Sequence, residues 1–181
     1  MSVSNTKMQR TAALYNAIPN FFWSILNLAP IAVFCYRFTD PLLFYWSLAG
    51  CSLSLFLPRA FFDRMQLGQT PAIYHKLGVH FINRFTQHGA IINQWIRKKY
   101  PQYRVIPLNR RAIRQHYHQT YMFEKFHFLL FLFFLVIIGD ALVKGHIGWV
   151  LILLITNILY NVYPVLLQQY VRIKLAPYLK R

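Results

Sequence analysis

Glu124 and His127 are the residues of this sequence whose types and spacing bear most directly on chemistry. Three apart on a helix, they share a face. A carboxylate beside an imidazole fixes the ring's tautomer and raises its basicity, which suits a general base taking a proton from a hydroxyl. Asn157 and Asn161, four apart, share a face of a later segment, with Gln168 and Tyr170 beyond them. Carboxamides of this kind can donate to a developing oxyanion. The pattern therefore fits a transfer reaction in which His127 deprotonates an acceptor hydroxyl and Glu124 orients it. Asn161, together with Asn157 or Gln168, donates to the oxyanion. Structural roles compete with each assignment: the asparagines can link helices through hydrogen bonds, and Glu124 can pair with Arg114, Lys125 or Arg172.

The elements that must position these residues are apolar runs. Residues 120–143 and 147–170 are each long enough to cross a bilayer, for which about 20 mostly apolar residues suffice. Ionisable groups in such runs usually face a bundle interior or a cavity. Two more runs precede them, 18–38 interrupted by Pro30 and 41–57 closed by Pro58 and Arg59. The expected fold is an all-α integral membrane protein of four transmembrane helices in two hairpins. Residues 1–58 would hold the N-terminal segment and first hairpin, 59–119 a basic amphipathic segment, and 120–181 the second hairpin with its polar site and basic tail.

Composition agrees with that class. The 181 residues are 56% hydrophobic and 13% charged, about half the charged fraction of a soluble domain. Net charge is +16, yet the basic residues flank and separate apolar runs instead of forming one nucleic-acid-reading motif. Membrane lipids are thus expected partners and nucleic acid is not. Lys7, Arg10, eleven bases from Arg59 to Arg114, and Arg172, Lys174, Lys180 and Arg181 all fall on one side, while Arg37 and Lys144 mark the other. The positive-inside bias places both termini and the central segment in the cytoplasm. Cys35 and Cys51 lie inside apolar runs, where they read as packing residues.

In the centre, Ile73, Leu77, Phe81 and Phe85 recur every four residues, and Ile91, Ile92, Trp95 and Ile96 precede Arg97, Lys98 and Lys99. These are the marks of amphipathic helices lying on a membrane surface, broken by Pro101 and Pro107. Arg110 to Gln119 then reads as a cytoplasmic extension of the third span. Arg97, Lys98 and Lys99 are candidates for holding the phosphates of coenzyme A or of anionic lipid. No metal is expected: His116 and His118 with His75 or His80 lack the usual zinc spacing, and a di-iron bundle needs several carboxylates. No cofactor is expected beyond a co-substrate such as a coenzyme A ester.

Asn161, Pro164, Gln168, Tyr170, Arg172 and Leu175, together with Glu124 and His127, resemble the glycosyl-4,4'-diaponeurosporenoate acyltransferases of staphyloxanthin-type carotenoid synthesis. The resemblance covers the last third of the chain and, more loosely, the centre around Gly89, Asn93 and Arg97. It implies transfer of a fatty acyl group to a sugar hydroxyl of a lipid-soluble glycoside at a bacterial cytoplasmic membrane, and it brings no catalytic residues with it. The glycerolipid acyltransferase pattern, His with Asp five positions later, does not occur in this sequence. The alternative is a non-enzymatic membrane protein that binds a lipid or carotenoid or scaffolds a partner.

Overall fold

The computed structural model describes residues 3–106 and 109–180. Pro107, read above as a helix breaker, and Arg181 of the basic tail lie outside the described residues. Among those described, every regular element is helical.

The first helix, α1 (Val3–Phe38), runs unbroken through Pro19 and Pro30, so Pro30 does not interrupt it as the sequence suggested. Proline's φ is compatible with a helix, and a helix with packed neighbours tolerates the lost hydrogen bond. Asp40 then caps α2 (Pro41–Ser52), its Oδ1 accepting from the amides of Leu42 (2.8 Å) and Leu43 (3.3 Å), with Pro41 at the first-turn position that needs no N–H. After a 3₁₀ turn, Leu53–Phe56, the chain reaches Pro58 and bends by 94° into α3 (Arg59–Met65). The run from 41 to 57 thus closes at Pro58, and it counts as a span only together with α3. Proline disfavours a helical residue before it, and Lys125 Nζ meets the resulting free end by donating to the Leu55 carbonyl (2.7 Å).

Short helices α4 (Ala72–Lys76) and α5 (Val79–Asn83) follow, then α6 (Ala90–Lys99). The four-residue stripe belongs to no single helix: Gly78, at φ 74°, turns the chain between α4 and α5, a conformation glycine adopts without steric cost. Ile73, Leu77, Phe81 and Phe85 still all face outward, while Tyr74 and Val79 are buried against Tyr170. At Gly89 a Cβ would come within 2.2 Å of the Asn83 carbonyl oxygen, so this close turn accepts only glycine.

The second half is built of two long antiparallel helices. Asn109 caps α7 (Arg110–Val143) by accepting the Ala112 amide at 2.7 Å, and α7 includes the expected extension from Arg110 to Gln119. The return helix comprises α8 (Ile147–Asn157), a π turn (Ile158–Val162) and α9 (Tyr163–Lys180). A core of Ile31, Phe34, Phe133, Phe134, Ile137, Ala141 and Leu153 joins α1, α7 and α8. At that end Lys144 Nζ binds both Asp140 (2.9 Å) and the Phe38 carbonyl (2.6 Å), and Thr39 donates to Asp140 (3.2 Å).

Three helices, Thr6–Phe38, Arg110–Val143 and Ile147–Leu179, are long and apolar enough to cross a membrane. Counting the bent pair Pro41–Phe56 and Arg59–Met65 as one span makes four.

Candidate active site

Glu124 sits on α7 with no exposed surface, and its partners come from α9. Its Oε2 lies 2.5 Å from Arg172 Nη1, and its Oε1 accepts from Gln169 Nε2 at 2.9 Å. The network continues outward. Gln169 Oε1 accepts from the Tyr74 hydroxyl (3.0 Å) and the Leu67 amide (3.3 Å). Arg172 Nε donates to Gln66 Oε1 (3.3 Å) and stands 4.0 Å from Asp63 Oδ1, which accepts from the Tyr121 hydroxyl (2.6 Å). The guanidinium also lies 4.2 Å from the centre of the Tyr121 ring, a favourable cation–π arrangement. Burial pushes the Tyr74 hydroxyl's pKa above its ordinary value, so it remains a donor at neutral pH.

Glu124 consequently does not hold His127, as the three-residue spacing suggested. The carboxylate turns to the nearest buried cation, because a charge in this interior must be paired, and no hydrogen bond joins it to the imidazole among the described residues. Arg172 Nη2 is buried and has no partner among them either.

His127 belongs to a second, uncharged cluster one turn further along α7. Its ring packs edge-on against Tyr160 (5.6 Å between centroids), with the Asn161 side chain and the Tyr160 backbone adjoining it. His127 Nδ1 and Asn161 Oδ1 are both buried without a hydrogen-bond partner among the described residues. Asn161 Nδ2 donates to Asn157 Oδ1 (2.8 Å), and Asn157 Nδ2 to the Phe131 carbonyl (3.4 Å). The Tyr160 hydroxyl meets Ser24 Oγ of α1 at 2.9 Å. This cluster gathers at the π turn for a local reason. Pro164 has no N–H for the Tyr160 carbonyl and its ring crowds that oxygen; the helix widens there, as helices often do at functional sites.

The remaining expected residues lie elsewhere. Gln168 is half-buried and makes no side-chain hydrogen bond among the described residues, while its neighbour Gln169 occupies the network. Tyr170 packs against Tyr74 and His75, and its hydroxyl meets Lys174 Nζ at 3.1 Å. Arg97, Lys98 and Lys99 are exposed on the last turn of α6. Arg97 Nε donates to the Tyr103 carbonyl (3.3 Å), and Tyr103 and Arg104 line a cleft of about 830 Å³ between α1 and residues 87–105. The rings of His75 and His80 lie tilted with centroids 5.3 Å apart, whereas His118 turns to Arg59. Sequence reasoning missed Gln169, Gln66, Asp63 and Tyr121. Arg172 was in view as a pairing partner and as one of the tail's bases.

Long apolar helices enclosing one charged and one uncharged polar cluster define a membrane-type helical bundle with an internal site. The sequence profile of the glycosyl-4,4'-diaponeurosporenoate acyltransferase family matches residues 58–181, more than half of the chain, and the chain belongs to that family. No curated protein and no solved structure matches it. The matched segment holds Glu124, His127, Asn161 and Arg172; α1 and α2 precede it.

Proposed function

We propose that this protein transfers a fatty acyl group from a thioester donor to a sugar hydroxyl of a lipid-soluble glycoside, with carotenoid glycosides as the acceptor class the family suggests. The observation that carries the reading is the His127–Asn161 juxtaposition. An imidazole nitrogen and a carboxamide oxygen, both buried and both without partners among the described residues, adjoin at a widened helix turn in an otherwise apolar interior.

Asn161 Oδ1 is an acceptor, so it suits the Nδ1–H of His127 better than an oxyanion. Accepting that proton fixes the tautomer and leaves the Nε2 lone pair as the base. His127 Nε2 takes the acceptor hydroxyl proton, and the hydroxyl oxygen bonds to the thioester carbonyl carbon. The C–S bond then breaks, and the departing thiolate receives the proton from the imidazolium, giving an ester and a free thiol. Glu124 and His127 are separated by about 4.5 Å along α7, which brings Arg172, held by Glu124, within a turn of the imidazole. Arg172 Nη2 is the free donor there for the oxyanion of the tetrahedral intermediate. Glu124 is the residue that positions it.

In the same reading the bent pair α2–α3 completes four spans, both termini are cytoplasmic, and the setting is a bacterial cytoplasmic membrane. The exposed Ile73, Leu77, Phe81 and Phe85 lie in the inner interface, and Asn157, Gln168 and Tyr170 flank the acceptor's path. Arg97, Lys98 and Lys99, beside the cleft, hold the donor's phosphates.

The deciding experiment is lipid mass spectrometry of cells with and without the gene. A glycoside that accumulates without its acyl chain when the gene is absent supports the reading; an unchanged lipidome overturns it. A finer expectation concerns the π turn. Pro164→Ala restores the missing N–H and relaxes the widened turn, which moves Asn161 off His127. Thermal stability should rise, because a proline inside a helix costs about 3 kcal/mol. Turnover should fall about 10²-fold, the scale of a displacement of about 1 Å at a reacting group. Thermal denaturation and steady-state rates on one preparation check both.

A further inference from the structure

Resting on the acyltransferase reading and deepening it, we propose that α1, outside the family-matched segment, supplies the wall that recognises the acceptor's sugar. Ser24 and Asn27 are its specificity-determining residues. α1 runs antiparallel to α8 in a register marked by three contacts. Phe38 packs on His146 (4.5 Å), Phe34 on Trp149 (5.7 Å), and Ser24 Oγ meets the Tyr160 hydroxyl (2.9 Å). Three residues from Ser24 on the same face, Asn27 falls at the level of Asn157.

Asn27 is 1% exposed. Its Nδ2 donates to the Trp23 carbonyl (2.8 Å) and its Oδ1 has no partner among the described residues. Asn161 Oδ1 at the π turn and His127 Nδ1 on α7 are likewise buried without a partner among the described residues, and the register set by Ser24 and Tyr160 brings Asn27 to their end of the helix pair. Asparagines serving only to link helices would pair. Leaving such atoms unmatched in an apolar interior is costly, so their arrangement points to a ligand.

The chemistry of the set selects its class. Two of the three atoms are carboxamide oxygens with two lone pairs each, so Asn27 Oδ1 needs donors and Asn161 Oδ1 has room for one beside the His127 Nδ1–H; no cation belongs to the cluster. A phosphate or a carboxylate would bring more acceptors, and an acyl chain would bring nothing. A neutral polyol brings several O–H donors, and a sugar ring is the polyol of a glycoside. Asn16 and Asn20, which with Ser24 and Asn27 form one helical stripe, line the cleft beside α6. A polar track therefore leads along α1 from that cleft to the buried cluster.

Asn27→Leu is the informative variant, since it keeps the side chain's size and removes only its polarity. Reconstituted in phospholipid nanodiscs, it should raise the acceptor KM about tenfold, the scale of one lost hydrogen bond, while the donor KM holds. Its thermal midpoint should stay level or rise, because an unmatched amide has left the interior; a purely structural asparagine would show the opposite. Dodecyl glucoside should raise the thermal midpoint of the wild type, dodecanol should not, and Asn27→Leu and Ser24→Ala should each blunt the glucoside's effect. Wild type that binds dodecyl glucoside in this way yet transfers no acyl group upholds the sugar wall and overturns the acyltransferase reading. Acyl transfer by Asn27→Leu with wild-type acceptor KM and wild-type glucoside response overturns the wall and leaves that reading standing.

Discussion

His127→Gln is expected to lower the turnover of acyl transfer by about 10²–10⁴-fold, the usual contribution of a positioned general base, without lowering the amount of folded protein. The two halves of this expectation come from the same geometry. A glutamine amide can take over the donation to Asn161 that the mechanism assigns to Nδ1–H, so the substitution leaves no orphaned partner of the kind that makes buried polar deletions destabilising. Glutamine roughly fills the space beside Tyr160 and can still donate to Asn161, but it cannot accept and return a proton. The effect should therefore fall on kcat with little change in either KM. Single-turnover product formation, followed by extraction and mass spectrometry of the acylated glycoside, measures it. Wild-type turnover in this variant would place the base elsewhere.

Glu124→Leu is expected to act on the fold first. Arg172 is 2% exposed and Glu124 0%, and removing one partner of a buried pair leaves an uncompensated charge, at a cost of about 3–5 kcal/mol. A loss of that size should appear as a sharply lowered thermal midpoint. The double variant Glu124→Leu/Arg172→Met replaces the pair with apolar side chains and should recover most of the stability, because a removed pair no longer carries a desolvation penalty. It should remain slow, by about 10²–10³-fold, since the donor assigned to the oxyanion has gone with the arginine. A double variant that is stable and fully active would make the pair purely architectural. One as unstable as Glu124→Leu would show that the surrounding tyrosines and glutamines require the ions.

The sequence made the membrane class legible through composition, run length and the distribution of bases, and the family through the residues around Asn161 and Arg172. It also offered two readings of Glu124, orienting His127 or pairing with Arg172; spacing alone could not choose between them, because helical periodicity places a residue on a face without saying what stands opposite. That Gln169, and not Gln168, meets Glu124 has a specific cause. From Asn157 and Asn161, an unbroken 3.6-residue period returns to position 168. The π turn adds a residue to that count and brings Gln169 round instead. Pro164 was the visible signal of that shift. Asn20, Ser24 and Asn27 lie at helical spacing inside the first apolar run, with Asn16 just before it, but a run judged for length and hydropathy conceals its few polar members. The bend after Phe56 needed the fold itself: Pro58 announces an end to the helix, not the direction in which the chain leaves.

The ends of the bundle are fastened unequally, and that asymmetry sets how it can open. At the turn between α7 and α8, Lys144 and Asp140 bind each other, Thr39 and the Phe38 carbonyl, riveting the end of α1 to the α7–α8 hairpin. At the opposite end α1 leans on α6 and the segments beside it through Ala12, Ile92, Ile96 and Tyr103, with the His88 amide donating to Asn16 (2.6 Å) and Thr11 meeting Tyr100 (3.5 Å), and no ion pair joins them among the described residues. A helix held by an ion pair at one end and by neutral contacts alone at the other behaves as a lever when those contacts yield. A small rotation about the Lys144 rivet becomes a swing of several ångströms at the far tip, about 50 Å away along a 36-residue helix. The polar atoms of Ser24 and Asn27 ride partway along that arm. Paired spin labels at the two ends of α1 and α7 should report a fixed distance at the rivet and a broad one at the tip, so a bulky amphiphile can enter without the core being unpacked.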